Sequence, residues 1–175
     1  MKRRLWLMIT ILIVALIAGL LIWRFWPQSA SRILPVDEES ITSFSSNITI
    51  SRIENGQTVT EVYSINKTDF PCTEPGELLE ILATSTYRQD VRNLLPWKTH
   101  YVEADKNYDG RSVLMAFSVG NGKDEWIQIH FLTSTMIAVH KGGEDGLRVY
   151  YPTNRETLDE LTEYFQTHGI KQSIS

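Results

Sequence analysis

Cysteine is nearly absent from this sequence: Cys72 stands alone, which excludes an internal disulfide and any cysteine-rich metal site. Its surroundings, Phe70-Pro71-Cys72-Thr73, bring no histidine or cation to activate the thiol, so it reads as a structural residue. Repeats and low-complexity tracts are missing, and so is every strong catalytic signature. There is no Gly-x-Ser-x-Gly elbow, no phosphate loop and no His-Glu-x-x-His helix. His100, His130, His140 and His168 do not have the spacing of a zinc site. No cofactor is expected. Basic charge is also scarce after residue 27. Four of the 17 Lys and Arg residues come before that point, which leaves 13 against all 21 acidic residues, a net charge of -8. A domain that acidic repels phosphate backbones, which argues against nucleic acid as a partner.

What the sequence does have is one long apolar run. Residues 5–23 read LWLMITILIVALIAGLLIW, uncharged, with Thr10 as the one polar side chain. At about 1.5 Å per residue such a helix crosses about 30 Å of hydrocarbon. Signal peptides have shorter apolar cores and end in small residues. Here Trp23-Arg24-Phe25-Trp26-Pro27 follows, bulky where a peptidase needs alanine, and the best cleavage position is after Ala30. The reading is an uncleaved anchor over residues 1–26, in contact with the membrane through residues 5–26. Trp6, Trp23 and Trp26 mark the two headgroup levels. Lys2, Arg3 and Arg4 precede the run, and Arg24 and Arg32 follow it. That bias predicts a single-pass cell-membrane protein with a cytoplasmic N-terminus and an extracytoplasmic C-terminal domain.

Residues 27–40 (PQSASRILPVDEES) are polar and bounded by proline, so they read as a linker. Residues 41–170 read as one soluble domain. The stretches 47–53 and 58–65 alternate apolar and polar residues on either side of Asn55-Gly56, the signature of a hairpin. Pro75 opens a helix with Leu78, Leu79, Ile81 and Leu82 at helical spacing. A second short helix or turn is predicted around residues 87–95. Further strands are predicted over 99–104, 112–119, 125–132, 135–140 and 147–151. The last helix opens on a capping box, Thr153-x-x-Glu156, turns Leu158, Leu161 and Phe165 inward and stops at Gly169. Together these elements predict an α+β domain, a mainly antiparallel sheet with two helices packed on one face.

The segment Thr86-Tyr87-Arg88-x-x-x-Arg92-Asn93-Leu94-Leu95-Pro96-Trp97, the strands after it and a terminal helix opening near Glu156 form a loose pattern over residues 60–168. In this layout the chain resembles small membrane-anchored extracytoplasmic domains of unknown function from Gram-positive bacteria. The resemblance implies placement and fold and brings no activity with it.

Two local patterns invite chemistry. Asp105-Lys106-Asn107-Tyr108-Asp109-Gly110 fits the first six positions of a calcium loop, with Asp105, Asn107 and Asp109 as oxygen ligands. The twelfth position, where a bidentate Glu belongs, is Ala116, and the flanks read as strands. A turn rich in Asp, Asn and Gly accounts for the same residues. Arg88, Arg92 and Trp97 suit an anion- or peptide-binding patch, with the arginines four apart on one helical face. The leading expectation is a membrane-tethered extracytoplasmic binding or interaction module of unknown ligand, meeting a protein, peptide or envelope component. The alternatives are an enzyme whose site is assembled from dispersed residues and a calcium-stabilised structural domain.

Overall fold

The computed structural model describes residues 2–36, 38–66, 75–94, 108–119, 125–144 and 146–172. The apolar run forms one helix, α1 (Lys2–Phe25), long and apolar enough to cross a membrane. None of its apolar window is buried within the protein. Its side chains therefore gain from a hydrocarbon surrounding.

Among the described residues nine strands form a single sheet. They are β1 (Gln28–Ser29), β2 (Ile41–Glu54), β3 (Gln57–Asn66), β4 (Thr86–Gln89), β5 (Arg111–Val119), β6 (Trp126–Thr133), β7 (Met136–Lys141), β8 (Arg148–Pro152) and β9 (Ile170–Gln172). Their order is β1-β4-β8-β7-β6-β5-β2-β3-β9, and every neighbour is antiparallel. The hairpin of β2 and β3 turns at Asn55 (φ 52°) and Gly56 (φ 78°), two left-handed residues in the order that a two-residue turn needs.

Alternation assigns the faces. Val113, Met115 and Phe117 of β5 point the same way as Ile127, Ile129 and Phe131 of β6, and all six are buried. Against them pack Leu78 and Leu82 of α3 (Pro75–Ala83) and Leu158, Leu161 and Phe165 of α4 (Thr157–His168). The domain is thus α+β, with these helices serving one face of an antiparallel sheet.

The segment read as a linker is part of this fold. Gln28 and Ser29 pair with Tyr87 and Thr86. A short helix, α2 (Ala30–Ile33), follows, and Ala30, Ile33 and Leu34 are buried in the core. Three apolar side chains scattered through a polar stretch were enough to dock it. The helix or turn expected around residues 87–95 divides instead into the extended strand β4 and a 3-10 turn, Val91–Leu94. The cause is tertiary, since β4 lies between β1 and β8 and satisfies its backbone there. Beyond Gln89 the strand is continued by a side chain. The Asn93 carboxamide donates to Val149 O at 2.8 Å and accepts from Val149 N at 3.0 Å, as a peptide group would. The capping box does not form either. Thr153 is held by Thr86, 2.8 Å between hydroxyls, and Asn154 Oδ1 accepts the Glu156 N–H at 3.0 Å instead. The strand expected over 99–104 lies outside the described residues.

Candidate functional site

The residues singled out by sequence fall in three places. Arg88 is exposed on β4. Arg92 lies in the 3-10 turn, and Trp97 is outside the described residues. Because β4 is extended, the spacing of Arg88 and Arg92 does not set them on one helical face.

Of the calcium-like loop, Asp105 and Asn107 are outside the described residues, while Asp109 and Gly110 are defined. The Asp109 carboxylate is engaged by Arg111, whose backbone N–H donates at 3.2 Å and whose Nε donates at 2.9 Å; Nη2 makes a third contact. Arg111 Nη1 reaches Asp159 Oδ1 at 2.6 Å and Thr162 Oγ1 at 3.3 Å. The guanidinium thereby clasps β5 to α4, and its hydrogen bond to the Asp109 carboxylate, aided by that to Asp159, raises its pKa. Gly110 has its own steric reason. Its φ is +87°, and a Cβ built there would lie 2.1 Å from the Ser51 carbonyl oxygen. Among the described residues no three His, Cys, Asp or Glu side chains converge as a metal site.

A different surface draws together polar and aromatic side chains. On the sheet face opposite the core, cross-strand register sets Leu114 beside His130, His130 beside Ala138, and Gln128 between Ala116 and His140. Trp126, Gln128, His130 and His140 are all partly exposed. The Trp126 and His140 rings meet edge to face with centroids 4.7 Å apart. At the same end of the sheet an open groove of about 530 Å³ is lined by Ser40, Val119, Glu125, Trp126, Ile127, Lys141 and Gly142. Burial lowers the pKa of Lys141, and Glu144 partly restores it. Trp126 belongs to both surfaces. Alternation along the strand predicted over 125–132 sets Trp126, Gln128 and His130 on one face. Their union with His140 and Lys141 depends on the β6–β7 register, which carries no local motif.

His130 supplies a pH-dependent stability. Burial lowers its pKa below the 6.5 of an unperturbed imidazole. Below that pH the unfolded chain binds a proton that the folded chain resists, so acidification takes stability away. The loss begins near pH 6.5 and is complete once the pH passes below the folded-state value. Denaturation midpoints of wild type and His130→Gln, compared from neutral to mildly acidic pH, should diverge, with the variant falling less steeply. Parallel pH profiles would refute this role.

Compared with protein-family models, curated proteins and solved structures, the chain has no match. What can be said of its function rests on its own geometry.

Proposed function

We propose that this chain is a membrane-tethered extracytoplasmic binding module that holds a protein or peptide segment in the groove beside Trp126 and along the adjoining sheet face. One observation carries the reading: the helices α3 and α4 load one side of the sheet, and on the other Trp126, Gln128, His130 and His140 are partly exposed, with Trp126 also lining a groove. Trp and His offer flat contact area with polar edges, the chemistry enriched where proteins grip partners. Lys141 and Glu125 bring both signs of charge to the groove wall. Aromatic anchoring with mixed charge suits a polypeptide ligand better than a small anion.

The basic residues ahead of α1 support a cell-membrane location with the domain outside. The fold also favours a retained anchor. Cleavage after Ala30 would strip β1 from β4 and expose the core beneath Ala30.

Sidedness and binding can be read in one experiment. Gln128→Cys or Ile53→Cys is introduced into the full chain with Cys72→Ser. Intact cells are treated with a membrane-impermeant thiol reagent bearing a photo-crosslinker. Both positions should label from outside, and light should yield a discrete protein adduct at residue 128 alone. Trp126→Ala should abolish that adduct. An unlabelled domain would refute the orientation. Labelling without an adduct, or an identical adduct at residue 53, would refute the binding face.

A further inference from the structure

We infer that one end of the sheet, formed by β1, the end of β4 and the turn Val91–Leu94, is seated in the lipid headgroup layer. The inference rests on α1 being retained as a membrane span. Its first support is covalent. Only Trp26 and Pro27 separate Phe25, the last residue of α1, from Gln28, the first of β1. Three Cα steps reach at most about 10 Å, and the polar layer beside the hydrocarbon is itself about 5–8 Å thick. The sheet therefore begins inside that layer or just above it.

Contacts remove what slack remains. Gln28 Nε2 donates to Arg24 O at 3.3 Å, and the Arg32 guanidinium lies 5.0 Å from the centre of the Trp23 ring. One end of that cation–π contact belongs to the span and the other to the domain.

Register then says which residues lie lowest. Gln28 pairs with Tyr87, and β4 runs opposite to β1. The chain beyond Tyr87 therefore heads back toward the end of α1, through Arg88 and Gln89 to Val91.

The side chains there fit a lipid surface. Outside α1, five large apolar side chains among the described residues are strongly exposed, and two of them, Trp26 (65%) and Val91 (63%), sit at this end. Indole prefers the headgroup level. Arg24, Arg32 and Arg88 are exposed beside them and complement anionic phosphates. Two carboxylates near this end are already engaged. Asp90 is buried and accepts the Tyr151 O–H at 2.7 Å, and Glu144 meets Arg148 at 3.0 Å.

The test uses the full chain with Cys72→Ser in nanodiscs of phosphatidylcholine and phosphatidylglycerol. A bimane fluorophore is attached at Val91→Cys, at Ile53→Cys on the distant hairpin tip, or at Leu16→Cys in the span. Nitroxide on the lipid headgroups should quench residue 91 and leave residue 53 bright. Nitroxide on the acyl chains should quench residue 16. Quenching at 16 without quenching at 91 overturns the seating and leaves the anchor standing. Equal quenching at 91 and 53 also overturns it. A bright residue 16 overturns the anchor and the seating together. A bright residue 16 would also remove the tether from the proposed function, whereas failure at residue 91 alone sinks only the seating, and the crosslinking at residue 128 tests the binding face independently.

Discussion

Leu161→Asp should unfold the α+β domain. Leu161 is fully buried on α4, one turn from Leu158 and Phe165, and faces the core strands. Removing a buried leucine costs about 2–5 kcal/mol even when alanine replaces it. Aspartate adds a carboxylate that finds no partner in that apolar cluster, and it must either stay charged at a penalty of several kcal/mol or take up a proton. The sum rivals the whole stability of an ordinary domain, about 5–15 kcal/mol. Circular dichroism and resistance to proteolysis of the full chain in detergent report it, with the cooperative melt disappearing. Glu163→Lys, on the exposed side of the same helix, should leave the melt nearly unchanged. A cooperative, wild-type-like melt for Leu161→Asp would mean that α4 does not cover the sheet.

Gly110→Ala should be strongly destabilising. Left-handed backbone disfavours alanine by about 1–2 kcal/mol. The new methyl would also collide with the Ser51 carbonyl, which is backbone and cannot swing aside. The same approach carries the Ser51 N–H to Gly110 O bond at 2.7 Å, so relief of the clash breaks it. Overpacking of this kind adds about 1–3 kcal/mol. Gly56→Ala is the control, because its φ is also positive (+78°) and nothing lies within 4 Å of the added Cβ. Denaturant midpoints should show Gly110→Ala clearly less stable than Gly56→Ala. Repeating the series with millimolar calcium should not change the gap, because the clash alone accounts for the glycine. Equal losses at the two positions would remove Ser51 from the explanation. A gap that widens with calcium would restore the metal loop.

The parts of the fold legible in the sequence were those with local, repetitive signals. Strict alternation through Ile48 and Ile50, the Asn55-Gly56 turn and the apolar spacing of Leu158, Leu161 and Phe165 each report their element within a few residues. Elements fixed by distant partners were not legible. β4 reads as a helix or turn because its extended form is imposed by β1 and β8 on either side. The docking of Ile33 and Leu34 is hidden because two apolar residues in a polar stretch make no period. Thr153 fits a capping box by spacing, but Thr86 across the sheet offers it a competing partner. The groove was invisible for the same reason, since Lys141 and Trp126 are brought together only by the pairing of β6 with β7.

The docking of residues 28–34 has a consequence for encounter. Fourteen free residues would let the domain wander over a radius of roughly 20 Å, at about 5–6 Å times the square root of the residue count. With two residues between helix and sheet, that freedom is gone. The groove lined by Ser40 and Trp126 opens at the same end of the sheet as the end of α1, because β2 and β6 begin where β4 ends. For the tethered module proposed above, the search for a ligand would be two-dimensional, carried by lateral diffusion, and the ligands met would be those confined to the bilayer surface or passing close to it.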